Sequence, residues 1–395
     1  MKYIVCLGDG MADLPIDELG GKTPLEVADT PHIDWITRHG QSGLVHTVPG
    51  PFTPGSDVAN MGILGYDPSQ YYTGRGPIEA AAMGIKPGPG QVIFRCNLVT
   101  IIDNVMTSFT AGHVDNEDGS ALLNELNEAF SGSLVTFFSG VSYRNIALFP
   151  EHLVDVTTTA PHDITDQNVT PYWPQGNPAN EIRDIVLKAR EILRQSPINQ
   201  RRIASGQLPV TDIWPWSQGT MPNLPSFKER HGVTGGIVTA VDLLRGLAAL
   251  TDLEFPLVSG ATGFLDTNYQ GKVSATLDIL SRHPFGFIHI EAPDECGHLG
   301  DYAKKIQAIE DFDRHVVGPI RAYQHTHGDV AIMVLPDHPT PCSLKTHIKA
   351  PIPVAVYHPG ITPDSSTVYS ENGVRSGTFN FDTPWDMMDA FLAIK

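Results

Sequence analysis

The 395-residue sequence predicts an α/β fold, a mostly parallel sheet with helices on both faces, into which an α+β block is inserted. Three observations predict it. Continuous apolar runs at residues 3–7, 285–290 and 330–335 have the pattern of strands buried on both faces, as in parallel sheets. Helical stretches separate such runs, and strand–helix alternation covers both faces of a sheet. Between these runs the alternation gives way to antiparallel-looking strands, so a core of residues 1–85 and 210–395 is expected to enclose an inserted domain, 86–209.

Taken in order, residues 3–7 run into Gly8-Asp9-Gly10, at a strand's carboxyl end, where open α/β sheets carry ligand sites. Thr30 to Gly40 reads as a capped amphipathic helix turning Ile33, Trp35 and Ile36 inward, and 43–48 as the next strand. A Pro-Gly-Pro-rich loop then delivers Ser56 to the start of a helical run, Val58 to Leu64. A helix start sets backbone N–H groups and a positive dipole end beside the serine, which suits an anion; an ordinary N-cap is the other use of such a residue. Residues 71–77 read as a polar, aromatic loop. In the insertion, 91–102 and 105–109 read as antiparallel strands, 121–130 as a helix, 133–149 as a hairpin and 181–194 as a strongly helical stretch. The alternation resumes at 237–240, followed by apolar runs at 255–258, 285–290 and 330–335.

The formal net charge of −18 argues against non-specific nucleic-acid or anionic-membrane binding, both of which need clustered Lys and Arg. It permits a small anionic substrate, because a metal reverses the potential of a local site. The four cysteines, Cys6, Cys96, Cys296 and Cys342, form no C-x-x-C pair, so a reducing cytoplasm is expected. The N-terminal apolar run is too short for a signal peptide, and no stretch reaches the ~18 apolar residues of a membrane span.

Three apolar strands end in an aspartate: Asp9, Asp294 and Asp337. Asp294 and His298 are four apart and share a face if a helical turn forms there; His338 follows Asp337, and His347 comes nine residues later. Each alone is ordinary, but their placement at one sheet edge is not. Three carboxylates and three imidazoles exceed the ligand set of one catalytic zinc and suit a pair of divalent cations, the clamp of phosphoryl transfer.

The residues that carry this chemistry fall in an ordered set. It comprises G-D-G-M-A-D at 8–13, P-G-S-D-V-A at 54–59, G-Y-D-P at 65–68, Y-T-G-R-G-P at 72–77, F-R-C-N at 94–97 and P-H-D-I at 161–164. It continues through D-T-N-Y-x-G-K at 266–272, D-E-C-G-H at 294–298 and P-D-H-P-T-P at 336–341. Over essentially the whole chain this resembles the archaeal-type cofactor-independent phosphoglycerate mutases of the alkaline phosphatase superfamily. The resemblance implies one metal held by Asp294, His298 and His347, and a second held by Asp9, Asp337, His338 and the nucleophile Ser56. It implies two divalent ions, with Mn favoured over Mg, Co or Zn, no bisphosphoglycerate, and a small phosphorylated metabolite as substrate. Arg75, Arg95, Arg144, His162, Asp163 and Lys272 lie in matching segments and are the implied substrate contacts; the insertion is the implied cap. Asn60 and His113 stand where the archaeal mutases have His and Arg. Both changes resemble a bacterial subgroup proposed to act as homoserine kinases, so a homoserine kinase-like transferase or a phosphatase is the alternative activity. No Walker loop supports a kinase: Gly271-Lys272 is followed by Val273, and Gly21-Lys22-Thr23 has Ile16 in the earlier glycine position.

Overall fold

The computed structural model describes residues 1–394. Its strands are β1 (Lys2–Gly8), β2 (Gln41–Val45), β3 (Gln91–Ile102), β4 (Val105–Ser108), β5 (Thr136–Val141), β6 (Arg144–Pro150), β7 (Asp212–Gly219), β8 (Gly235–Val238), β9 (Phe285–Ile290), β10 (Val330–Leu335) and β11 (Ile352–Tyr357). Two units are distinct: Met1–Tyr72 with the chain from Asn223 onward, and Thr73–Pro222.

In the first unit one sheet runs β2-β11-β10-β1-β9-β8. β1 pairs in parallel with both β10 and β9, and β8 with β9, while β11 alone runs against its neighbours. Ile4, Val5, Cys6 and Leu7 are wholly buried, as are Ile332, Met333 and Val334 beside them. Each such side chain contributes about 1.5–3 kcal/mol on burial, which is why unbroken apolar runs occupy the sheet's centre. Parallel pairing of β1, β9 and β10 brings their carboxyl ends, Gly8, Ile290 and Leu335, to one edge.

The second unit is antiparallel, β4-β3-β6-β5 with β7 on the other side of β3. Helices Asn116–Ala129 and Ala179–Gln195 close a core of Phe94, Phe149, Leu122, Leu126, Ile182 and Val186. This unit takes in helix Arg75–Ala82 and β7, both outside 86–209, because β7 shares a long ladder with β3.

Three local expectations are corrected. Residues 255–258 form no strand: Pro256 has no N–H to donate, Leu257 is 77% exposed, and only Glu254 bridges Gly236. Residues 71–77 are not one loop, since Arg75 begins a helix with Pro77 in its first turn, where a missing N–H is harmless. Trp35 is half-buried and not a core residue; the Arg321 guanidinium lies 4.1 Å from its ring and Tyr357 4.9 Å.

Candidate metal centre

The edge formed by β1, β9 and β10 carries the acid and histidine side chains. Asp9 follows β1, and Asp337-His338 follow β10 after Pro336. After β9 the chain enters helix Ala292–Leu299, which puts Asp294 and His298 on one face, their Oδ2 and Nε2 3.2 Å apart. His347 arrives from the loop beyond β10, with Nε2 3.4 Å from Asp294 Oδ1 and 2.9 Å from His298 Nε2. Two groups result, Asp294/His298/His347 and Asp9/Asp337/His338, the donor atoms within each lying inside 4.8 Å of one another. They adjoin: the His338 and His347 rings are 3.9 Å apart.

Ser56 opens helix Ser56–Ile63 after an extended Gly55, and its Oγ lies 3.0 Å from His338 Nε2. Gly10 sits at φ +62°, the left-handed region, and any Cβ there would meet Asp294 Oδ1 and Thr340 Oγ1 at 2.6 Å. Only glycine lets this loop lie so close to Asp294. Its N–H donates to Asp337 Oδ1 at 3.2 Å.

Each aspartate is also held by a neutral partner. Asn60 donates Nδ2 to Asp337 Oδ2 at 2.8 Å and to the Ser56 carbonyl at 2.9 Å. Thr340 donates to Asp294 Oδ1 at 2.5 Å, and His289 Nε2 lies 2.9 Å from Asp9 Oδ2. Asn60 is thus part of the site's scaffold; His113, by contrast, is exposed in the second unit, 6.2 Å from the Tyr143 ring.

The electrostatics fit a cation. Burial, then the charges of Asp337 and Asp294, push the Asp9 carboxyl well above its usual range. Burial also opposes the Asp294 charge, but hydrogen bonds from His298 and His347 win and hold it well below that range. The same hydrogen bond to Asp294 raises His298 to about 9. Asp9 Oδ1 is buried with no hydrogen-bond partner, an arrangement that native proteins rarely leave unanswered. Carboxylate and imidazole donors without thiolate suit a first-row divalent cation in each group.

Of the other residues singled out in the sequence, Arg75, Arg95, Arg144, His162 and Asp163 lie in the second unit and Lys272 in the first. In the second unit Glu79, 13% exposed, accepts from Arg75 Nε at 2.7 Å and Arg95 Nε at 2.8 Å. Arg95 stacks 4.2 Å from Trp216, whose other ring neighbour is His162 at 5.3 Å. Arg144 is exposed over Tyr143, and Asp163 Oδ1 is 3.6 Å from His162 Nε2. Lys272 belongs to the first unit and is wholly buried; its ammonium donates to the His289 carbonyl at 3.2 Å, and burial lowers it to about 8. His289, Thr340, Glu79 and the buried Lys305 escaped the sequence reading. A histidine in the otherwise apolar run Phe-Gly-Phe-Ile-His-Ile was the one available signal.

A mostly parallel sheet with a serine and two carboxylate–imidazole groups at its carboxyl edge defines the general class of this chain, and solved structures share its fold. A protein of Pyrococcus horikoshii matches with TM-score 0.82 at 27% identity, covering 99% of this chain and 97% of that one. The cofactor-independent phosphoglycerate mutase of Thermoplasma acidophilum matches with TM-score 0.68 at 28% identity, covering 99% of each. A family model described as 2,3-bisphosphoglycerate-independent phosphoglycerate mutase matches residues 37–199. The phosphoglycerate mutase so named from Methanosarcina barkeri is 43% identical over 398 aligned residues, and that from Methanothrix thermoacetophila 44% over 394, each covering 100% of both chains. The chain belongs to the 2,3-bisphosphoglycerate-independent phosphoglycerate mutase family.

Proposed function

We propose that this chain interconverts 3-phosphoglycerate and 2-phosphoglycerate without bisphosphoglycerate, through a phosphoserine at Ser56. The observation that carries the reading is Ser56 Oγ at a helix start, 3.0 Å from Nε2 of His338, a member of the Asp9/Asp337/His338 group. Asp294, His298 and His347 would hold one divalent cation, and Asp9, Ser56, Asp337 and His338 a second, with Mn favoured by the mixed oxygen and nitrogen donors. Bound there, the ions supply a lowered serine pKa and neutralise phosphoryl charge.

Ser56 Oγ forms its bond to phosphorus as the bond to the glycerate 3-oxygen breaks; the proton lost by the serine is matched by the one the 3-hydroxyl gains. Glycerate then presents its 2-hydroxyl, which bonds phosphorus as the Ser56 Oγ–P bond breaks, and the serine regains a proton. The backbone N–H groups opening helix Ser56–Ile63 face the transferred anion favourably. Arg75 and Arg95, fixed by Glu79, and Arg144 supply the fork donors that a carboxylate or phosphate needs. As a cap, the inserted unit would exclude water, which would otherwise hydrolyse the phosphoserine. The four cysteines are free and buried, in keeping with a cytoplasmic enzyme, and among the described residues no helix is long and apolar enough to cross a membrane.

The test is an enolase-coupled assay with Mn²⁺ and 3-phosphoglycerate in the absence of bisphosphoglycerate. Turnover that vanishes in Ser56→Ala supports the mutase. Hydrolysis of an aryl phosphate with no mutase turnover would move the assignment to a phosphatase or to another phosphotransferase, homoserine phosphorylation being the next assay.

A further inference from the structure

We infer that Thr239 and His289 form a positioning relay for Asp9, which commits one carboxylate oxygen to the protein and leaves the other to ligate a cation. The inference rests on the two-cation reading above and adds residues to it.

The relay is a one-way chain of hydrogen bonds across the ends of three neighbouring strands. Thr239 directly follows β8, His289 is the penultimate residue of β9, and Asp9 directly follows β1. His289 Nε2 is 2.9 Å from Asp9 Oδ2, with both side chains nearly inaccessible at 0% and 3%. His289 Nδ1 is 3.2 Å from Thr239 Oγ1, which in turn accepts the Val241 N–H at 3.0 Å. Asp9 acting as a cation ligand is ionised, and an ionised carboxylate accepts only, so the imidazole proton belongs on Nε2. Nδ1 is then a lone pair, and the Thr239 hydroxyl must donate to it. The Val241 amide fills an acceptor position on that hydroxyl and favours the same direction. A neutral imidazole locked in this tautomer orients Asp9 without cancelling its charge, which a lysine or arginine in the same place would do.

The consequence falls on Asp9 Oδ1. With Oδ2 taken, Oδ1 is the oxygen that is buried without a hydrogen bond, 3.7 Å from His338 Nε2. His289 lies outside both donor groups, so it acts through Asp9. Asn60 on Asp337 and Thr340 on Asp294 follow the same rule, neutral donors holding charged ligands.

The test titrates Mn²⁺ into chelator-stripped protein and follows free Mn²⁺ by electron paramagnetic resonance, with melting curves to verify folding. Replacing a group that orients a ligand typically weakens metal affinity about 10–100-fold. His289→Leu is expected to show a loss of that size at one of the two sites and little change at the other. His289→Gln, whose amide N–H reaches the position of Nε2, is expected to recover most of it. Thr239→Val removes the hydroxyl at constant shape, and in Mg²⁺-loaded protein carrying ¹⁵N-labelled histidine it should turn a pure Nε2–H signature for His289 into a tautomer mixture. Wild-type affinity at both sites in folded His289→Leu, equal weakening of both sites with no recovery in His289→Gln, or an Nδ1–H signature in the wild type would each overturn the relay. A wild type that binds no Mn²⁺ would overturn the two-cation reading itself, and the relay with it.

Discussion

Replacing Lys305 with methionine should destabilise the first unit and loosen together the loops that carry Asp9 and His338. Lys305 and Asp13 are fully buried, with side-chain exposure of 0% for both and Nζ 2.8 Å from Asp13 Oδ2. The other two ammonium protons go to the carbonyls of Ala12 at 3.1 Å and Thr340 at 2.8 Å. One cation thus ties the segment after Asp9 to the segment after His338. Removing one partner of a buried pair costs about 3–5 kcal/mol, since the remaining charge stays desolvated. Asp13 keeps the N–H groups of Leu14 and Cys342, which argues for the lower end, near 3 kcal/mol. For a unit of this size that corresponds to roughly a 6–12 °C fall in melting temperature. Adding Asp13→Asn removes the stranded charge while keeping an acceptor for the two amides, so the double variant should regain about 1–2 kcal/mol over Lys305→Met alone. Calorimetry of the three variants decides it. A single variant melting within about 2 °C of the parent, or a double variant less stable than the single, would refute the buried-charge argument.

Chelator should abolish mutase turnover, and Mn²⁺ should restore it without bisphosphoglycerate; turnover that survives complete metal removal, checked by elemental analysis, would contradict the two-cation site. Glu79→Gln leaves the nearly buried Arg95 without its counter-charge, so substrate KM should rise about tenfold with kcat little changed, measured in the coupled assay. Burial lowers Lys272 to about 8, below its value in the unfolded chain. The unfolded state then holds the proton longer, so stability contributed through Lys272 rises as pH climbs from about 8 toward 10.4 and is flat below that window. Burial pushes the four thiols up and so pulls stability the other way across that range; the check is therefore the difference in unfolding free energy between the parent and Lys272→Met, which should shift in the parent's favour as pH rises.

How much was legible follows from what each residue depends on. Asp9, Asp294 and Asp337 announced themselves because an acid after an apolar run sits where a parallel sheet ends, a rule local to the chain. Asn60 was visible only as a departure from a family pattern; its partner Asp337 is 277 residues away, and no local spacing encodes that. Lys272 matched a substrate-contact segment, yet its head is turned to a backbone carbonyl inside the first unit, because helix Tyr269–Arg282 lays that face on β9. Residues 255–258 read as a strand on apolar content alone, but a strand also needs amides to pair, and Pro256 has none. Arg75 read as loop because Gly74 and Pro77 are breakers in mid-helix and good starters at its first turn.

The position of β1 bears on how the molecule comes to exist. Its first residues emerge earliest during synthesis, yet Tyr3 finds its neighbours only at Phe285 and Ala331. Contacts this distant in sequence are slow to form, and the strand must wait as an unpaired apolar ribbon while most of the chain is made. The second unit, contiguous from Thr73 to Pro222, has no such delay and can fold while the ribosome is still working. A truncated product ending between Pro222 and His347 would hold a finished insertion and an incomplete set of the candidate metal donors. The two candidate donor groups are therefore complete only once β10 and the loop carrying His347 have been made.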